Sequence, residues 1–352
     1  MIGNNQQAFL ELVRAGLWEK EARLSQFGKI NFSTLFDLAE KQGVTGLVSA
    51  GLEHIIDIEV PQEDMFNFVG TILQIEQRNK VMNTFIANLV EKMRKADIYT
   101  LLVKGQGIAQ CYERPMWRSC GDVDLLLSDS NYNQAKSFLL PIASGTKQER
   151  IYSKELGIYI GGWLVELHGS LRTGLSSSVD REIENVQKDI FYGRNVRSWI
   201  NDSTIIFLPS PDNDLFLIFT HFIKHFYKEG GMSLRQICDW CRLLWTYKDS
   251  INHGLLESRL RKAGLMSEWK AFAILAVDCL GMPNDAMPLF CTKKRWKRKA
   301  KKIVPFILNS GKWRKWHDTM VVVRIFPLST LKFSPGILFN ANWLKIKERF
   351  IK

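Results

Sequence analysis

Asp122 and Asp124 stand one residue apart in Gly121-Asp-Val-Asp-Leu-Leu-Leu127, at the entry to an apolar run. A β-strand alternates its faces, so both carboxylates would point one way while Val123 and Leu125 enter a core. Like charges placed so repel unless a cation sits between them. Mg²⁺ or Mn²⁺ suits an all-oxygen site that also holds phosphates. Downstream, Trp163-Leu-Val-Glu-Leu-His-Gly169 alternates too. Glu166 and His168 share one face, and Val165 and Leu167 the other. An ionised Glu on a strand otherwise built for a core needs a partner. A metal cluster shared with Asp122 and Asp124 is one; a salt bridge to Arg172 is the plain alternative. Upstream lies Lys104-Gly105-Gln106-Gly107, at the end of a short apolar run. Glycines there let backbone N–H groups approach phosphate oxygens, and a following helix N-terminus favours negative charge. The loop is neither a Walker A sequence nor a dinucleotide-binding fingerprint, since the trailing Lys-Ser/Thr and the third glycine are missing.

These residues together resemble the glycine motif, Asp-x-Asp pair and third carboxylate of polymerase-β-like nucleotidyltransferases. The chain is more closely similar to a bacterial family described as uncharacterised nucleotidyltransferases. The matching stretches are Lys104-Gly105, Tyr112-Glu-Arg-Pro115, Arg118-Ser-Cys-Gly-Asp122-Val-Asp124 and Glu166-Leu-His168, with His221-x-x-x-His225 and Arg235-x-x-x-Asp239 on flanking helices. The resemblance covers roughly residues 1 to 280. It implies a small mixed sheet with helices, and transfer of a nucleoside monophosphate from an NTP, with ATP the expected donor. It also implies two divalent ions, one holding the triphosphate and one activating an acceptor hydroxyl. Asp122, Asp124 and Glu166 would ligate them, with Glu166 as the alternative base. Lys104 and Arg118 are the candidates for neutralising phosphate charge, Arg118 by bidentate contact. The acceptor is a hydroxyl or phosphate on a sugar, small metabolite or protein side chain.

Other residue pairs read more plainly. His168 orients the site or bonds a backbone carbonyl. His221 and His225 have zinc-like spacing, but no Glu follows His221 and no third ligand is evident. A structural or acceptor-facing role fits them better. Arg235 and Asp239, also four apart, read as an ion pair that could line the pocket. Cys238-Asp-Trp-Cys241 lacks a second pair at zinc spacing and specifies little by itself.

The elements around these motifs divide the chain into four parts. Residues 1–95 read as a helical platform. Ala8, Phe9, Leu12, Val13 and Leu17 make one apolar face, Ser33 is placed to cap a helix, and Pro61 opens a long helix to about Lys95. Its inner stripe is expected to hold Phe66, Val69, Ile72, Leu73 and Ile75. Residues 96–208 read as the catalytic α+β unit. Strands are expected at 98–103, 122–127, 150–153, 157–161 and 163–167, with Gly161-Gly162 turning between the last two. Helices follow over Ile108–Tyr112 and, capped at Ser128, Tyr132–Leu140; residues 170–208 read as a loop-rich continuation. Residues 209–290 return to helical period as a bundle. Residues 291–352 are basic and contain Trp296, Trp313, Trp316 and Trp343.

The 352 residues carry a formal charge of +12, and the run Lys293–Lys302 alone supplies eight positive charges. Such a balance suits a nucleotide, nucleic acid or an anionic membrane. The six cysteines are scattered, and the first residues show neither a basic start nor an apolar run, so a cytoplasmic, reduced protein is expected. No apolar run reaches the length of a membrane span. Two other readings remain open on sequence alone. One is a degenerate module that binds nucleotide or a partner without chemistry. The other is a binder of polyanions or membrane surfaces acting through residues 293–302 with Trp296, Trp313 and Trp316.

Overall fold

The computed structural model describes residues 2–228, 231–309 and 315–334, with the side chains of 311–319 excluded. Trp313, Trp343 and the side chain of Trp316 therefore lie outside the described residues. The chain opens with α1 (Asn4–Trp18), α2 (Phe32–Gln42), α3 (Thr45–Glu53) and the long α4 (Gln62–Lys95). The apolar face expected of α1 is fully inside. The cap of α2 is Asn31, not Ser33: its side chain accepts from the Thr34 amide at 2.9 Å. Pro61 precedes α4, Glu63 and Asp64 fill its first turn and Lys92, Arg94 and Lys95 its last, each sign matched to the helix dipole.

The α/β part follows as β1 (Leu101–Val103), α5 (Gly105–Ala109), β2 (Asp122–Leu126), α6 (Asp129–Leu139), β3 (Gly145–Thr146), β4 (Glu155–Ile160) and β5 (Trp163–His168). Then come α7 (Ser177–Phe191), β6 (Val196–Asn201) and β7 (Thr204–Pro209). The strands form a seven-stranded sheet in the order β3-β4-β5-β2-β1-β7-β6. Strands β2 and β5 run parallel, as do β1 and β7, and the other neighbours are antiparallel. The β4–β5 hairpin turns through Gly161 and Gly162, at φ 57° and 82°. Two successive positive φ values are what a tight turn matched to strand twist requires, and glycine adopts them without strain.

One face of the sheet carries Val123, Leu125, Val165 and Leu167 against Met82, Ile86 and Leu89 of α4 and Tyr132 and Leu139 of α6. The other face looks toward a helical bundle of α8 (Pro211–Lys228), α9 (Leu234–Thr246), α10 (His253–Ala263) and α11 (Met266–Leu280). Beyond it lie α12 (Lys294–Asn309), α13 (Lys315–Ile325) and α14 (Pro327–Phe333). Aromatic edges lock the bundle: Trp240 meets Trp269 at 4.8 Å, and Phe219 meets Trp269 at 4.9 Å. Among the described residues no helix is long and apolar enough to cross a membrane.

Several expectations are corrected. The inner stripe of α4 is Phe68, Ile72, Asn79, Met82 and Ile86, while Phe66, Val69 and Leu73 are exposed. Two apolar stripes compete there, and packing of Phe68 on Phe36 selects one. Residues 151–153 form a single 3₁₀ turn, not a strand. The helix expected over Ile108–Tyr112 begins at Gly105 and ends at Ala109. Residues 170–208 are not loop-rich: they supply α7, whose cap Ser176 accepts from the Val179 amide, and an antiparallel hairpin that completes one side of the sheet.

Candidate active site

The parallel pairing of β2 with β5 sets Asp124 directly beside Glu166 and Leu126 beside His168. Register partners share a face, so Asp122, Asp124, Glu166 and His168 all project toward α8 and α9. They line a cleft of about 360 Å³. One oxygen each of Asp124 and Glu166 and one ring nitrogen of His168 lie within 4.8 Å of one another. Asp122 borders the same cleft outside this tight group.

Asp124 is buried, with Lys104 and His168 against it. Its Oδ1 accepts from Lys104 Nζ at 3.0 Å and meets His168 Nε2 at 2.7 Å. Burial works to raise its pKa, but Lys104 and His168 outweigh that and hold the carboxyl well below the usual carboxylate range. Burial opposes the charge on Lys104 as well, yet Asp124 keeps it a firm ammonium. Asp122 goes the other way: burial and the neighbouring charge of Asp124 push it up. Glu166 does not pair with Arg172. Its partner is Lys147, at 3.1 Å, and Arg172 turns to Glu184 instead.

The Lys104–Gly107 loop divides into two halves. Lys104 sits at φ 59°, a strained conformation for a residue with a side chain, and Gly105 follows at φ 43°. A Cβ on Gly105 would lie 3.1 Å from Cys120 Sγ. Both residues border the cleft. Gln106 and Gly107 do not. Gln106 is buried and donates to Asn79 Oδ1 at 2.8 Å. A Cβ on Gly107 would fall 2.7 Å from Leu208 Cδ2, so this glycine serves close packing on β7. The structure thus places Lys104 and Gly105 at the cleft and packs Gln106 and Gly107 away from it. With five residues, α5 also has little dipole to offer.

Arg118 borders the cleft, but its guanidinium is engaged within the protein. Its Nε and Nη2 donate to the two carboxylate oxygens of Asp239, both at 2.7 Å. Tyr112 donates to the same carboxylate at 2.7 Å. All three residues are buried, and Asn79 Nδ2 holds the Arg118 carbonyl at 2.8 Å. A guanidinium spent on a bidentate pair has few donors left for phosphate. Arg235 is therefore not the partner of Asp239. It donates through Nη1 to Ser119 O at 2.8 Å, its Nε is buried without a hydrogen-bond partner, and its charge bears on Asp122. Across the cleft, His221 and His225 approach Nε2 to Nε2 at 3.1 Å. Burial, helped by the positive charge of Lys104, drives the pKa of His221 well below its ordinary value. No third metal-type ligand joins this pair among the described residues.

The cleft also uses residues that the motifs did not single out: Arg150, Glu155, Ser170, Thr173, Thr220 and Lys224. Thr220 and Lys224 flank His221 on α8 by helical spacing, a signal present in the sequence. The others come from loops and a strand end, where no periodicity points to a site. The four cysteines Cys111, Cys120, Cys238 and Cys241 are buried, and burial pushes each thiol up, so none is an activated thiolate.

A family model described as "Uncharacterised nucleotidyltransferase" matches residues 28–281, well over half of the chain. The chain belongs to this nucleotidyltransferase family. The matched span contains the whole sheet, the carboxylate cluster and the bundle facing it. The protein is accordingly a transferase built for nucleotidyl transfer, on an α+β fold with a seven-stranded mixed sheet. A solved structure described as an antigenic nucleotidyltransferase-like protein from Paracoccidioides brasiliensis is similar at 15% identity and a TM-score of 0.35. That match covers 60% of this chain and 94% of the other. A search of curated proteins gives no match.

Proposed function

We propose that this nucleotidyltransferase moves a nucleoside monophosphate from an NTP, with ATP as donor, to a hydroxyl or phosphate acceptor held between β2/β5 and α8. The observation that carries the reading is the side-by-side placement of Asp124 and Glu166, with Asp122 on the same face, at the floor of a cleft whose far wall includes Lys224 and Arg235. The donor set fits divalent ions such as Mg²⁺ or Mn²⁺. It is rich in carboxylate oxygen, and Asp122 is left with a charge that its surroundings oppose rather than neutralise. Asp122, Asp124 and Glu166 would hold the ions, and His168, whose ring nitrogen lies among the same ligand atoms, contacts Asp124 Oδ1 at 2.7 Å. Bound there, two ions would offset charge on the phosphates and lower the pKa of the acceptor hydroxyl.

The chain's own residues account for the remaining work. Lys104, at the tip of β1, offers an ammonium to the triphosphate, and Arg235 supplies the guanidinium role first expected of Arg118. Glu166 is placed to take the acceptor's proton. The acceptor oxygen bonds to the α-phosphorus, the bond to the bridging oxygen breaks, and pyrophosphate leaves. His221, kept neutral, presents a ring nitrogen to the acceptor side. A nucleotide-binding module without turnover is the second reading. It is favoured by the Lys104–Asp124 contact, which already neutralises one acid. Incubating the protein with each α-³²P-labelled NTP, divalent metal and a cell extract separates the two. Label in an acceptor supports transfer; nucleotide binding with no labelled acceptor under any metal supports the module.

A further inference from the structure

The helix α12 reads Lys-Arg-Trp-Lys-Arg-Lys-Ala-Lys-Lys over its first nine residues and has no acidic residue along its length. Its apolar side is spent inside the protein: Trp296, Ala300, Ile303, Val304 and Ile307 are buried in the main core. The other side holds Lys294, Arg295, Lys297, Arg298, Lys301 and Lys302, all exposed. Among the described residues no carboxylate lies within ion-pair distance of these six, although the protein pairs many of its other surface cations. Concentrating six unneutralised charges on under three turns costs self-repulsion. A solvated face gains nothing from it.

A second feature adjoins this face. Lys299 Nζ lies 4.1 Å from the ring centre of Phe326, which ties α12 to the start of α14. Two and five residues on from Phe326, Leu328 and Leu331 are 83% and 57% exposed, while Thr330 and Phe333 between and beyond them are buried. The leucines therefore face outward from a helix whose other side is anchored in the core that also holds the apolar side of α12. Trp296, expected to serve such a surface directly, is instead only 6% exposed beneath Arg295.

We propose that α12 and α14 form a docking surface for a membrane leaflet rich in acidic phospholipid. The six cations would meet lipid phosphates and the two leucines would enter the interface. Nucleic acid is the less fitting polyanion. Among the described residues the patch offers no exposed aromatic ring for stacking, and protruding leucines gain nothing against a duplex. Nothing in this surface depends on the chemistry of the cleft.

The test uses the full chain and sedimentation with vesicles of phosphatidylcholine, alone or mixed with phosphatidylglycerol. Binding is expected only to the mixed vesicles and is expected to fall steeply with added salt. The variant Lys297→Gln/Arg298→Gln/Lys301→Gln, exposed at all three positions, is expected to lose about 100-fold in partitioning. Leu328→Ser/Leu331→Ser is expected to lose about tenfold. Circular dichroism confirms that each variant is folded, and nucleotide turnover should be unchanged. Equal binding to neutral vesicles would overturn the proposal, as would full binding by either variant. So would tight binding of duplex DNA by a protein that ignores the mixed vesicles.

Discussion

Replacing Arg118 with alanine separates a scaffold arginine from a phosphate-binding one. The guanidinium makes two 2.7 Å bonds to Asp239, and both side chains are almost wholly removed from water. Without it Asp239 keeps one hydrogen bond, from Tyr112, and no countercharge. Removing one partner of such a buried pair costs about 3–5 kcal/mol, because the other charge remains buried and unpaired. Urea titration of the wild type, Arg118→Ala, Asp239→Ala and the double variant measures this loss and the coupling between the pair. The coupling should be on the order of 2–3 kcal/mol, with the double variant far less damaged than the two single losses added together. Where Arg118→Ala remains folded, its KM for NTP should be close to wild type. A stability loss under about 1 kcal/mol, together with a large rise in KM, would refute the scaffold assignment and return Arg118 to the phosphates.

Three further outcomes follow from the same geometry. Arg235→Ala should raise KM for NTP about tenfold to 100-fold, the worth of a hydrogen bond to a charged group, while thermal stability changes little. Asp122→Asn should abolish turnover yet raise stability by about 0.5–2 kcal/mol, since the charge it removes is opposed by burial and by Asp124; a fall in the melting temperature would contradict this. The depressed pKa of Asp124 makes its contribution to stability complete above the unfolded-state value of about 3.9. That contribution is lost as pH falls from there through the lower folded-state pKa, so acid denaturation of the wild type should steepen below about pH 4. The Asp124→Asn variant should lack that component in a pH series of urea melts.

The carboxylate cluster was legible because strand alternation is a strict rule. A period of two places Asp122 with Asp124 and Glu166 with His168, whatever the rest of the chain does. That β2 and β5 lie adjacent, parallel and in register was not legible, since register depends on partners 42 residues away. The pairing of Arg118 was not legible for a related reason. Its true partner, Asp239, is 121 residues distant, and an i,i+4 arginine at position 235 offered a nearer and wrong answer. Gln106 looked like part of a phosphate loop because its hydrogen-bond partner is a buried Asn79 in the middle of an apolar helix stripe, which helical periodicity would assign to a hydrophobe. The stripe of α4 failed for want of context too: residues 66, 69 and 73 are spaced as well as 68 and 72.

The central claim is that the carboxylates on β2 and β5 support nucleotidyl transfer. Its most direct test is metal-dependent pyrophosphate release from NTP, in the presence of acceptor-containing extract, by wild type and Asp124→Asn at matched concentration. Release by the wild type should require Mg²⁺ or Mn²⁺, stop on chelation, and fall at least about 1,000-fold in the variant. Pyrophosphate release that is equal in the two proteins, or that persists without divalent metal, would contradict it.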